Sequence, residues 1–246
     1  MKRADELYVG YFPTMPRGHW RRTLPVAVGF VVAVAAAMGA LALGQAKADV
    51  GLYEFGILKP REGILRGGAI PLLESTDAEG RPVNYLLVGA TKVAPPAEFL
   101  ALAERRVRFD GVLVQRGSQA MLEVGPAESW SDLGAAPPAT QPQRIEGTTT
   151  LVGELIDTKC FFGAMRPAVG KIHRGCAIRC LSGGIPPALR IVDSAGHESI
   201  VMLAGRDGRP APIDPTDAGL SVEASGSIEV QGNVIIMRAD RVVARP

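Results

Sequence analysis

The chain repeats itself. Residues 67–89, GGAIPLLESTDAEGRPVNYLLVG, align without gaps on residues 183–205, GGIPPALRIVDSAGHESIVMLAG, at an offset of 116. The identical pairs are Gly67/Gly183, Gly68/Gly184, Pro71/Pro187, Leu73/Leu189, Asp77/Asp193, Gly80/Gly196, Leu87/Leu203 and Gly89/Gly205. Downstream the match continues at an offset of 115, with Gly111/Gly226 and Gly117/Gly232 in register. Upstream, Glu62-Gly63-Ile64-Leu65 parallels Val152-Gly153-Glu154-Leu155. The identities fall on turn glycines and on spaced apolar positions, which two copies of one supersecondary unit must keep. Such a chain folds as two similar domains.

Within each copy the apolar residues alternate or cluster in short runs separated by Gly-containing turns, the pattern of about five strands. Asp77–Gly80 and Asp193–Gly196 read as hairpin turns, and so do Gln115–Ser118 and Gln231–Asn233. One helical pattern, Pro96–Arg106, falls between the third and fourth strands of the first copy. The 29 Gly and 19 Pro suit many turns rather than long helices. Five strands with a helix before the last hairpin resemble a small OB-like barrel. The expected fold is therefore mainly β: two tandem OB-like five-stranded barrels, residues 55–134 and 147–246, joined by a Pro-rich linker at 135–146. A net charge of +2 and an aromatic content of 5% leave too little positive charge and too few stacking rings for nucleic acid, so no nucleic-acid partner is expected.

Ahead of the repeat, Thr23–Ala46 carries no charged residue. Its centre, Val26–Gly44, spans about 28 Å as a helix, close to the thickness of a bilayer core. Residues 23–46 are thus expected to form a transmembrane helix behind a tail at 1–22. Lys2, Arg3, Arg17, Arg21 and Arg22 precede the segment, whereas only Lys47, Lys59 and Arg61 follow closely. The positive-inside rule then places the N-terminus in the cytoplasm and the barrels in the periplasm, on a bacterial inner membrane. The competing reading is a cleaved signal peptide, with Ala46-Lys47-Ala48 as a small-x-small site.

The two copies differ at one place. Gly63 precedes Gly67 by four residues, whereas Gly153 precedes Gly183 by thirty. The extra stretch, 157–182, holds Cys160, Cys176, Cys180 and His173. Gly170–Leu181 suits a short helix ended by Gly183-Gly184. His173, Cys176 and Cys180 then share one helical face, with Cys160 at the end of the preceding strand. Several chemistries fit. A disulfide from Cys160 to Cys176 or Cys180 suits an oxidising compartment. Three thiolates and an imidazole (Cys160, His173, Cys176, Cys180) suit Zn²⁺ or Cu⁺. A reactive thiol at Cys160 or Cys176 beside His173 is a third reading, and simple packing in the core a fourth. Asp157 is the only nearby acid that could orient the histidine.

The run Asp157, Cys160, His173, Cys176-Ala177, Cys180, Gly183-Gly184 and Pro186 resembles a motif of uncharacterised bacterial secreted or membrane-anchored proteins. That resemblance covers about forty residues and implies no activity. Elsewhere His197 reads as a surface residue and Asp207–Asp217 as a solvated loop. No catalytic set can be assembled from the sequence. The leading expectation is a non-catalytic accessory subunit or assembly factor of a membrane complex, respiratory or otherwise redox-active. Its partners would be other membrane subunits, met through residues 1–46 (where Tyr8, Tyr11, Phe12 and Trp20 precede the anchor) and through the β domains. The alternative is a periplasmic metal-binding or thiol redox protein that uses the cysteine cluster.

Overall fold

The computed structural model describes residues 17–44, 49–77 and 79–245. The chain divides into two compact units, Met1–Ala48 and Asp49–Pro246. In the first, helix α1 runs over Arg17–Gly44 and keeps Pro25 inside it. Residues 18–44 have a mean hydropathy of 2.5 in the most apolar window, and none of that window is buried. By length and composition α1 is compatible with a membrane anchor or a signal sequence. It starts six residues before the expected Thr23, because Arg17–Arg22 continue the helical turn ahead of the apolar stretch. Of the aromatic residues in the tail, Trp20 lies on α1, while Tyr8, Tyr11 and Phe12 fall outside the described residues.

The second unit holds strands β1 (Leu52–Tyr53), β2 (Lys59–Arg66), β3 (Leu72–Thr76), β4 (Pro82–Val88), β5 (Arg105–Arg116), β6 (Gln119–Val124) and β7 (Ser131–Ala135), with the short helix α2 (Ala97–Leu100) between β4 and β5. Then come β8 (Gln143–Asp157), helix α3 (Gly170–Ser182), β9 (Pro187–Val192), β10 (Glu198–Gly205), β11 (Ser221–Gln231) and β12 (Val234–Ala244). Strands β2-β3-β4-β6-β5 close into one ring, with β1 and β7 added along β5. Strands β8-β9-β10-β12-β11 close into a second ring. In both, the third strand lies parallel to the fifth (β4 with β6, β10 with β12) and the other pairings are antiparallel. These are two five-stranded barrels of the same OB-like topology.

The repeat extends to the register. Leu65 faces Leu73, and Leu155 faces Leu189. Leu87 faces Leu122, and Leu203 faces Met237. The two Asp turns are alike as well: Asp77 accepts from the N–H groups of Glu79 and Arg81, and Asp193 from those of Ala195 and His197. Gly63 and Gly153 are kept for the same reason. A Cβ on Gly63 would lie 2.5 Å from the carbonyl of Glu74, and one on Gly153 2.7 Å from that of Arg190, its equivalent.

Three apolar cores follow from the pleat. Leu65, Leu73, Leu87 and Leu122 fill the first barrel, and Leu155, Leu189, Leu203 and Met237 the second. The alternate residues on the same strands point outwards: Leu72, Leu86, Val88 and Met121 from one ring, Ala188, Met202, Ala204 and Ile236 from the other. They meet in a third core between the barrels, together with Cys160, Phe161, Phe162, Cys180 and Ile185. Strands buried on both faces read as continuous apolar runs, as in Tyr85–Val88, rather than as a strict alternation. At the edge of this junction the Asn233 side chain clasps the Asn84 backbone: the Asn84 N–H donates to Asn233 Oδ1 at 2.8 Å, and Asn233 Nδ2 to the Asn84 carbonyl at 3.2 Å.

Two expectations need correction. The helix expected at Pro96–Arg106 stops at Leu100, because Glu104 takes a φ of 60° and Arg105 and Arg106 are drawn into β5 opposite Leu65 and Ile64. The linker expected at 135–146 is also shorter, since β7 ends at Ala135 and β8 already starts at Gln143, paired with Val230.

Candidate metal centre

Strand β8 ends on a buried acid. Asp157 has no exposed surface, and its carboxylate is divided between two donors: Oδ1 accepts from the backbone N–H of Cys160, and Oδ2 pairs with His173 Nε2, each at 2.9 Å. Burial works against ionisation, but the His173 hydrogen bond and the Cys160 N–H outweigh it, so the carboxyl is held below its ordinary range. The Thr158 hydroxyl donates to the carbonyl of Pro186 at 2.8 Å. The chain therefore leaves the strand in a fixed turn, a short π-helical segment at Cys160–Ala164, and Cys160 is aimed into the junction.

Helix α3 supplies the other two thiols. Ala177, Cys180, Leu181 and His173 are buried along one face. Past Gly183 the helix closes in a Schellman motif: Gly184, at φ 93°, donates to the carbonyl of Leu181, and Ile185 to that of Cys180. This is the stop that the Gly-Gly pair predicts.

The sulfur atoms converge. Cys160 Sγ lies 3.7 Å from Cys176 Sγ and 3.8 Å from Cys180 Sγ. All three cysteines are free thiols, so neither of the expected disulfides is formed. His173 does not complete a four-ligand set. The ligand atoms fall into two groups that share Cys160, one of Cys160, Cys176 and Cys180 and one of Asp157, Cys160 and His173, with all atoms of each group within 4.8 Å of one another. The imidazole is turned to Asp157.

Sequence reasoning missed the first barrel's contribution. Lys92, in the loop after β4, places Nζ 2.6 Å from Cys176 Sγ and 3.9 Å from Cys180 Sγ, and the contact with Cys176 raises the ammonium's pKa. The loop sits tightly on α3. The Ala94 N–H donates to the Gly183 carbonyl at 2.8 Å, and a Cβ on Gly183 would fall 1.8 Å from the carbonyl of Lys92. From the second barrel, Lys159 donates to the carbonyls of Gly89 and Thr91 and pairs with Glu123 at 2.5 Å; Tyr53 also donates to Glu123. One signal for Lys92 is in the repeat itself, since the second copy has Gly208 at the equivalent position.

The thiols are unequal. The hydrogen bond shared with Cys180, burial and the charge of Asp157 push Cys160 far above an ordinary thiol, whereas the same bond from Cys160 favours the thiolate of Cys180. Cys160 and Cys180 are buried and Cys176 is half-buried, so the cluster meets solvent on the side of Cys176 and Lys92.

Comparison with protein-family profiles, with characterised proteins and with solved structures finds no match.

Proposed function

We propose that the barrel pair is a metal-binding module that holds a zinc or copper(I) ion on Cys160, Cys176 and Cys180. One observation carries the reading. With metal–sulfur bonds of about 2.3 Å, a tetrahedral site holds its sulfurs about 3.8 Å apart, and the two separations from Cys160 are 3.7 and 3.8 Å. Thiolates suit both ions, and the chain's own groups moderate their charge: Lys92 lies against Cys176, and the negative charge of Asp157 is shared with His173. Asp157 and His173 lie beside the ligand Cys160 and hold its backbone and surroundings in place, the task of groups that flank a metal site.

Elemental analysis of the purified full-length protein, combined with thiol counting, tests this. The expected result is one zinc or copper ion per chain, lost in Cys176→Ser. One disulfide, one free thiol and no metal would overturn it.

We further infer the setting: an accessory subunit or assembly factor of a membrane complex rather than an enzyme, anchored by α1 with the barrels in the periplasm. Support comes from the apolar helix and from the excess of Lys and Arg ahead of it. Mild-detergent purification is expected to bring further membrane subunits with the chain; recovery as a lone monomer would count against it.

A further inference from the structure

The first barrel carries a second site, separate from the thiols. A cavity of about 830 Å³ opens between the β1–β2 loop, the loop after β4 and the segment after β6. Its walls are apolar, with Phe55, Leu58, Val93, Val112, Val124 and Trp130 among them. The size is that of a small-molecule pocket. We propose that this cavity binds the hydrocarbon chain of a membrane phospholipid.

The first argument is polar saturation. Most of the polar groups that face inwards have partners: Trp130 Nε1 donates to the Gly125 carbonyl at 2.9 Å, Glu123 is held by Lys159 and Tyr53, and the N–H groups of Gly89, Ala94 and Gly125 donate to Val93, Gly183 and Asp110. Away from Glu98 a polar metabolite would lose its water and find few free partners in return. A hydrocarbon loses nothing there.

The second argument is the mouth. Phe55 is 79% exposed, Leu58 49% and Val93 48%. Large apolar side chains grouped around an apolar opening mark a binding surface rather than scattered surface residues.

The third is charge. Glu98, exposed at the start of α2, lines the same cavity. A carboxylate there repels the head of a free fatty acid and favours an amine-bearing phospholipid headgroup. The fourth is the source. Phe55 follows Gly44, the last residue of the membrane-length helix, by eleven residues, at most about 40 Å of extended chain. A phospholipid of the bilayer that α1 would occupy is within reach of that tether.

The test uses the full-length chain in phosphatidylethanolamine–phosphatidylglycerol vesicles, with or without bromine on the acyl chains. Trp20→Phe leaves Trp130 as the only tryptophan of the two in the chain. Brominated chains are expected to quench Trp130 emission severalfold, and Val93→Asp, an exposed change that places a charge in the mouth, to restore most of it. Leu58→Asp gives the same reading if Val93→Asp alters the circular dichroism of the barrels. Emission unaffected by bromine would overturn the proposal. So would equal quenching in both charged variants, or quenching only by a brominated fatty acid added from water. Because Val93 and Ala94 adjoin Lys92, the measurement is made with and without chelator; quenching in both keeps this proposal whatever becomes of the thiol reading, and its absence in both overturns it alone.

Discussion

Asp157 connects the site to the fold at the level of a single side chain. Its carboxyl is favoured in the charged form by folding, so its contribution to stability is complete above the unfolded carboxylate pKa and is lost as pH falls through the lower folded value. Asp157→Asn is expected to cost about 2–4 kcal/mol near neutral pH in urea unfolding and to flatten the acid side of the stability profile. Lys159 is the matching cation on the other side of the cluster. It is paired with Glu123 in a buried setting and carries the Gly89 and Thr91 carbonyls. Lys159→Met leaves Glu123 buried without its cation and frees the Lys92 loop; a loss of about 3–5 kcal/mol is expected, together with weaker metal retention in equilibrium dialysis. These residues separate what the sequence reveals from what it hides. Spacings within one helix are legible, so His173, Cys176 and Cys180 could be placed on one face. Lys92 could not, because 84 residues separate it from Cys176, and its one mark in the sequence, a glycine at the equivalent position of the second copy, does not say which thiols it meets. The same limit applies to His173: its position was readable, but its preference for Asp157 over the sulfurs depends on where β8 ends.

Among the elements, α3 and its stop are the most informative. The Gly183-Gly184 pair predicted the end of the helix, yet its two glycines have different tasks. Gly184 supplies the positive φ of the cap, whereas Gly183, at an ordinary φ of −84°, makes room for the Lys92 carbonyl. Gly183→Ala therefore keeps the helix and displaces the loop. The expected outcome is a loss of about 1–3 kcal/mol from the forced shift, with weaker metal retention in equilibrium dialysis as Lys92 moves away from Cys176. The five strands of each ring and the turns at Asp77 and Asp193 follow from the repeat, since turn residues and apolar spacing are local, whereas β1 and β7, which only extend β5, are not legible in it. The true extent of α2 and of the linker was hidden. Both are decided by cross-strand pairing: β5 claims Arg105 and Arg106, and β11 claims Gln143 and Arg144.

On the scale of the whole barrel pair, the third core makes the two rings one folding unit. Leu86, Val88 and Met121 share one buried cluster with Ala188, Met202, Ala204 and Ile236 of the second barrel and with Phe161 and Phe162 of its insert. The pair is expected to unfold in a single transition, with Trp130 fluorescence and far-UV circular dichroism coincident in urea. Met202→Ala, fully buried in the shared core, should shift both probes together by about 2–5 kcal/mol. Two separate transitions would show that the rings are stable alone. A chelator should lower the midpoint of the same transition, since the thiols sit inside that core and a bound ion stabilises only the folded form.

The Asn84–Asn233 clasp and the matching outer faces have a consequence for how such a chain is organised. Two equivalent surfaces meeting across one junction is the arrangement of a homodimer, here written into a single polypeptide. In a true homodimer any insertion appears twice and must satisfy both halves. Fusion removes that constraint. One half was free to take on the sulfur-bearing segment while its twin kept a plain β2–β3 turn and turned a lysine towards it, an asymmetry that two identical chains could not hold.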